Sequence, residues 1–304
     1  MSLKKKTREF RHWMGWAFFI LLERLVTYLP LEVIYFFSEK LGSIAYYLPT
    51  GYGNRVLKHL HLAFDKEKGR QEIEDIARDV GRNLLKEFLE LQHVVFLPHG
   101  DIRRLIPMEG KENLDSALAQ RKGVIAVSAH FGNFALLCAK IAVEGYTFNV
   151  IVKEPKDHKI ARRLQEYRDI LRMKTIPAEP GNRCVRMTLK SLRNNEIVCF
   201  IVDEDKRSGG VFVDFFGHPA ATATGPAVMS LRTGAPIVPM FIIRQASNEN
   251  KVIIGPPMKV EKTGDKRMDI LSNTAKFTKI IEDYVRRYPS QWSWINSRWK
   301  TQPK

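Results

Sequence analysis

Cysteine is scarce in this chain: Cys138, Cys184 and Cys199 are the only three among 304 residues. An odd number with no CxxC spacing supports neither a disulfide framework nor a zinc site, and reads as reduced, mostly buried thiols of a cytosolic compartment. There is no P-loop or dinucleotide fingerprint. The one glycine cluster, RSGGV at 207–211, has too few glycines at the wrong spacing. Internal repeats and low-complexity tracts are absent too, which excludes solenoids and compositionally biased tails. No apolar run reaches the ~20 residues of a bilayer crossing, since the N-terminal run Trp13–Leu22 is broken by Glu23 and Arg24. Acidic charge is also short. Against 49 Lys and Arg stand 33 Asp and Glu, a formal net charge of +16. That balance points to an anionic partner. The basic residues are spread out rather than gathered in one stripe, and the N-terminal aromatics suit lipid, so nucleic acid ranks below a membrane surface or an acidic protein or substrate.

The hydrophobic fraction of 44% is ample for a sizeable core. Before it lies an unusual N-terminus. Lys4, Lys5, Lys6, Arg8 and Arg11 precede the Trp13–Leu22 run, a second apolar stretch spans Leu29–Phe37, and Tyr46 and Tyr47 follow. The pattern begins like a signal peptide, but no small-residue cleavage site follows it. Residues 1–50 are therefore expected to form helices lying in or dipping into an anionic membrane surface, with the basic flank on the cytoplasmic side. The alternative is an amphipathic helical hairpin packed on the body. Residues 51–304 are expected to form one domain.

Residues 51–95 have helical periodicity, and the charges of EIEDIARDVGRNLLKEFLEL are read as a solvated face. HGDIRRLIPMEG (99–110) is read as a loop with a short strand. Beyond residue 110 the texture alternates. GVIAVSAH, TFNVIVKEP, KTIPA, EIVCFIVDED, GGVFVDFFG, APIVPMFIIRQ and NKVIIGPPMKV read as strands. FALLCAKIAVEG, HKIARRLQEYRDILRM, RCVRMTLKSLRNN, GPAVMSLRTG and DILSNTAKFTKIIEDYVRRYP read as helices. Such alternation predicts an α/β fold with a mostly parallel central sheet flanked by helices. Sites in such sheets gather at the carboxyl ends of strands, where His130 and the acidic triplet Asp203, Glu204 and Asp205 both fall.

The stretch VSAHFGNFALL carries the clearest chemistry. A strand delivers His130 to a sheet edge, and Gly132 lets the chain turn tightly. Asn133 is expected to cap the following helix, whose free amides would face the same spot and stabilise an oxyanion or a phosphate. A neutral imidazole placed there takes a proton from a hydroxyl. Downstream, VFVDFFGHPAATATGPA pairs an aromatic strand with a Thr- and Gly-rich turn. Thr224 is expected to cap the helix beginning near Pro226, and Phe212, Phe215 and Phe216 are read as either an acyl groove or plain core. Trp292, Trp294 and Trp299 are candidates for a membrane interface or for closing the site.

Three ordered stretches carry a resemblance. HFGNFALL is similar to the His-x4-acid box of membrane acyltransferases. DEDKRSGGVFVDFFGHPAATATGPAVMSLRTGAPIVP and the closing PSQWSWINSRWKTQP resemble two later blocks of the lauroyl/myristoyl acyltransferases that finish lipid A. The likeness runs from about residue 10 to the end. It implies a glycerolipid-acyltransferase-like fold. It also implies transfer of a fatty acyl chain from an acyl carrier protein or coenzyme A thioester to a hydroxyl of a lipid A precursor or related glycolipid or phospholipid. No metal or other cofactor is implied, and the expected place is the cytoplasmic face of a bacterial inner membrane. His130 would be the general base. Arg168 best fits an arginine that the family keeps, to bind a phosphate or assist the thioester carbonyl. Asn133, Asp203, Glu204, Asp205 and Arg298 are candidates for contacting substrate or supporting the base.

Two positions depart from the family. Its closing histidine is Asn296 here, and the acid of its box is Ala135. Losing an orienting carboxylate costs about 10⁴-fold in the protease triad, so the box alone predicts slow or absent turnover. Three accounts stay open. The alanine is an engineered inactivating change, or the carboxylate comes from elsewhere (Glu154 or the 203–205 triplet), or the chain is a non-catalytic, lipid-binding relative.

Overall fold

The computed structural model describes residues 3–47 and 51–303, with side chains from Trp13 to Ile44 and from Gly51 onward. The basic cluster Lys4–Arg11 and the tyrosines Tyr46 and Tyr47 lie outside the described side chains. Two helices open the chain, α1 (Leu3–Tyr28) and α2 (Leu31–Tyr47). They break at Leu29-Pro30, because the proline ring disfavours helical backbone in the residue before it. Then come α3 (Tyr52–Phe64) and the long α4 (Arg70–Val94). Helix α2 packs along α4 at close range. A Cβ on Gly42 would lie 2.5 Å from the Arg82 Cα, so only glycine fits that crossing. The segment read as a loop, 99–105, is instead a helix, α5 (His99–Leu105), before the short β1 (Met108–Glu109). Its amphipathic turn docks through the fully buried Ile102, a local signal too short for periodicity to show.

The α/β body follows as α6 (Lys111–Ala119), β2 (Val124–Ser128), α7 (Phe134–Val143), β3 (Phe148–Val152), α8 (His158–Ile170), β4 (Lys174–Pro177), α9 (Gly181–Arg193) and β5 (Ile197–Ile201). It continues with β6 (Val211–Phe215), β7 (His218–Thr222), α10 (Gly225–Thr233), β8 (Ile237–Arg244), β9 (Asn250–Ile254) and α11 (Lys266–Arg287). Seven strands form one sheet in the order β1-β9-β8-β2-β5-β3-β4. Every pairing in it is parallel except β8 with β9. Strand β2 is buried on both faces. Ile125 and Val127 enter one core, while Val124 and Ala126 enter the other. This is why GVIAVSA is continuously apolar rather than alternating.

Residues 211–222 form a separate antiparallel hairpin, β6 with β7, where a strand and a turn were expected. The HPAAT segment pairs because its alanines pack inward, Ala220 and Ala221 being buried. Thr224 precedes α10 but makes no side-chain cap. Phe215, Phe216, Trp292, Trp294 and Trp299 are buried together as core, so neither an acyl groove nor a membrane interface is built from them. Phe212 remains 38% exposed.

Helix α1 is fastened to the body by Glu23, the residue that interrupts its apolar run. Buried, it accepts a 2.9 Å bond from the Arg163 Nε and another from the Tyr167 hydroxyl, both on α8. The outer side of the helix pair is apolar. Met14, Phe18, Leu21, Leu25 and Tyr28 on α1, and Phe37, Leu41 and Ile44 on α2, each recur at helical spacing and are exposed. Among the described residues no helix is long and apolar enough to cross a membrane.

Candidate active site

The parallel register of β2 and β5 pairs Ser128 with Ile201. Two residues further along each strand stand His130 and Asp203, side by side at the carboxyl edge of the sheet. The His130 Nδ1 lies 3.0 Å from Asp203 Oδ1, and the His130 backbone N–H donates to Oδ2 at 3.0 Å. The Trp292 indole N–H also donates to Oδ2, at 2.7 Å. Three donors therefore converge on one buried carboxylate. With Nδ1 donating to Asp203, the Nε2 lone pair is left facing outward. Its nearest charged neighbour is the exposed Glu204, 3.8 Å away. The Phe134 ring meets the imidazole edge-on, with centroids 5.0 Å apart.

Electrostatics follow from this geometry. Burial alone would lower the His130 pKa. The Asp203 charge and hydrogen bond outweigh it, Glu204 adds to them, and the imidazole is raised above its usual 6.5. Burial pushes the Asp203 carboxyl up, but the His130 charge and the bonds from His130 and Trp292 bring it below its ordinary value.

The turn after His130 is held by the C-terminal segment. Gly132 N–H donates to the Gln291 carbonyl at 2.7 Å, and Ser293 N–H donates to the His130 carbonyl at 2.9 Å. Gly132 has φ +52°, and a Cβ there would fall 2.5 Å from the Ile242 carbonyl oxygen, so the turn requires glycine. Asn133 precedes α7, but its side chain does not cap it. Its amide is buried and donates to the Glu87 carbonyl at 3.1 Å and to Glu90 at 2.9 Å. A cap would need the Asn133 side-chain oxygen to accept from the first helical N–H groups; the side chain is instead oriented by its NH2 group, which satisfies the buried Glu90 anion.

The other sequence candidates divide. Asp205 accepts from the Thr301 N–H and hydroxyl, at 3.0 and 2.8 Å, and pins the C-terminus. Arg298 is buried and donates to the Ala221 carbonyl at 2.8 Å, to the Glu204 carbonyl at 3.3 Å and to the Thr222 hydroxyl at 2.5 Å. Desolvation brings its guanidinium down to about 10 despite Asp203 and Asp205. Arg168 is paired with Glu154 at 2.5 Å, so that glutamate is engaged away from His130. Ala135 sits half-buried in the first turn of α7. Of the acidic triplet, Asp203 faces the imidazole from within and Glu204 stands at its mouth.

The bacterial lipid A biosynthesis acyltransferase family model matches residues 1–301. The chain belongs to that family. Within it, the chain is 28% identical to the lipid A biosynthesis palmitoleoyltransferase of Escherichia coli (strain K12), over 98% of this chain and 96% of the relative. It is 26% identical to the lipid A biosynthesis lauroyltransferase of the same strain, over 97% and 94%. A phosphatidylinositol mannoside acyltransferase of Mycobacterium tuberculosis (strain ATCC 25618 / H37Rv) is 33% identical over 43% of this chain. The protein is thus an O-acyltransferase of the lipid A or glycolipid class, and that activity implies a lipid acceptor and an acyl donor.

Sequence reasoning missed Glu87, Glu90, Arg244 and Gln291, which surround this candidate site of the acyltransferase. A signal for two of them was present. On α4 the buried apolar phase Ile73, Ile76, Val80 and Val94 is continued by Asn83, Glu87 and Glu90. Polar residues in the core phase of an amphipathic helix are not a solvated face.

Proposed function

We propose that this enzyme transfers a fatty acyl chain from an acyl carrier protein or coenzyme A thioester to a hydroxyl of a lipid A precursor or related glycolipid, and that it is active as written. The observation that carries this reading is the Asp203 carboxylate on His130 Nδ1. His130 Nε2 takes the proton of the acceptor hydroxyl as its oxygen attacks the thioester carbonyl carbon. Asp203 holds the tautomer and stabilises the imidazolium. Collapse of the tetrahedral intermediate breaks the C–S bond, and the leaving thiolate recovers the proton from Nε2. Neither a metal nor a covalent enzyme intermediate enters this route. The expectation of slow turnover rested on Ala135. In this reading Asp203 fills the role that the family's box acid would have had.

The exposed apolar stripes of α1 and α2 support docking on an anionic membrane surface, and we place the enzyme at the cytoplasmic face of the bacterial inner membrane. Arg168 and Glu204 remain our candidates for contact with a phosphorylated acceptor or the thioester, with Glu204 at the mouth. The test is acyl transfer from labelled acyl carrier protein to a lipid A precursor, with the His130→Ala variant as comparison. Transfer that survives in that variant removes His130 as base. No transfer by either protein to any glycolipid or lysophospholipid sinks the reading and favours the non-catalytic, lipid-binding relative.

A further inference from the structure

Glu90 is almost fully buried, and donors from three elements and from the histidine turn converge on its carboxylate. Arg244 on β8 gives two bonds, at 3.1 and 2.7 Å, and Asn250 on β9 gives one at 2.7 Å. The Tyr35 hydroxyl on α2 gives another, and the Asn133 amide of the histidine turn donates at 2.9 Å. Arg244 also reaches the turn from the other side. Its backbone N–H donates to the Gln291 side-chain oxygen at 2.8 Å, and the Gln291 amide donates back to the Arg244 carbonyl at 2.7 Å. The Gln291 carbonyl accepts from Gly132, and the next residue is Trp292, whose indole holds Asp203. Gly132 and Asn133 are thus clamped between two arms that meet at the Glu90–Arg244 pair.

A buried ion pair is no better for stability than a well-packed apolar pair. What this one supplies is direction. Each donor fixes one neighbouring element relative to the turn that carries His130. We propose that Glu90 is a positioning residue for transfer at His130, acting through the Asn133 amide and, by way of Arg244 and Gln291, through the segment that carries Trp292. The proposal rests on the reading of His130 as base.

The test uses the full chain in detergent or vesicles, with labelled acyl carrier protein as donor and a glycolipid acceptor. A misplacement of about 1 Å costs about 100-fold in rate, so Glu90→Gln is expected to lower kcat about 100-fold while KM stays within about threefold. The acid limb of kcat/KM should fall as the grip of Asp203 on the imidazole loosens, with Glu204 the remaining facing charge. Asn133→Ala should cost a part of that loss in the wild type, since it leaves the Arg244–Gln291 arm intact, but less than about threefold on top of Glu90→Gln, because the Asn133 arm is already released there. If the stranded Arg244 prevents Glu90→Gln from folding, the paired change Glu90→Met with Arg244→Met removes both charges at similar volume, and the same kinetic loss is expected. A folded variant with kcat and the acid limb unmoved, or with effects that simply add to those of Asn133→Ala, overturns the proposal. Transfer that survives His130→Ala overturns both readings. Loss there with unaffected Glu90 variants overturns this one alone.

Discussion

Replacing Asp203 by asparagine isolates the role of its charge and of its acceptor geometry. Asp203 Oδ2 serves two donors, the His130 backbone N–H and the Trp292 indole, while Oδ1 serves His130 Nδ1. An amide has only one oxygen. Placed toward the two fixed donors, it turns its NH2 group onto Nδ1. That nitrogen must then accept, the proton moves to Nε2, and the ring can no longer take a proton from a hydroxyl. The same swap in the protease triad costs about 10⁴-fold, equivalent to about 5.5 kcal/mol at 1.36 kcal/mol per decade. Asp203→Asn should therefore lower kcat by about 10³- to 10⁴-fold, with KM little changed and a stability cost of about 1–3 kcal/mol for the mismatched buried group. Single-turnover transfer from labelled acyl carrier protein, alongside urea unfolding, measures both. The companion variant, Ala135→Glu, should change kcat less than about threefold, because Nδ1 already has its carboxylate. Retention of a tenth or more of the activity in Asp203→Asn would refute this reasoning. So would a hundredfold gain in Ala135→Glu, which would mean that the box acid was the missing group.

The activity should fall with acidity through a limb above pH 6.5, because the raised imidazole must lose its proton to act as base. A kcat/KM profile with its limb at or below 6.5 contradicts this. For stability the signs differ. The contribution of His130 is complete below 6.5 and is lost as pH rises through its folded value, whereas that of Asp203 is present above its ordinary range and is lost as pH falls through its lowered one. Glu87 behaves oppositely to Asp203. Burial, with the neighbouring Glu90, pushes its carboxyl up to about 8 despite Arg244, so it holds a proton in the folded state that the unfolded chain has shed. Stability should fall by about 2–4 kcal/mol between pH 5 and 9 after allowance for partial exposure, and Glu87→Gln should flatten that slope. Equal slopes in urea titrations of the two proteins would remove Glu87 as the cause. Gly132→Ala places a methyl group 2.5 Å from the Ile242 carbonyl oxygen at a positive φ. It should cost about 2 kcal/mol or more in strain and displace His130. Wild-type melting temperature and kcat in that variant would show that the turn tolerates a side chain.

Much of this molecule was legible in the chain. Apart from β7, the strands and helices from 123 to 287 follow from apolar runs and helical periodicity, and the strand–turn–helix around His130 follows from Gly132 and the apolar stretches on either side. The placement of Asp203 was legible only as a shared sheet edge. Its contact with His130 depends on β5 lying beside β2 in parallel register, a pairing between residues 73 positions apart. Hairpin strand β7 and helices α5 and α6 escaped because their segments are short and their packing partners lie far away in the chain.

The sequence by itself determined the alternating fold, the family and the histidine at a strand end, because local periodicity and ordered motifs survive without neighbours. Tertiary structure alone decided which carboxylate meets the imidazole, and that Asn133 serves Glu90 rather than its helix. It also buried Arg298 and the closing tryptophans as supports. Those outcomes depend on which polar groups come within hydrogen-bond reach across segments far apart in the chain, and only packing brings them together.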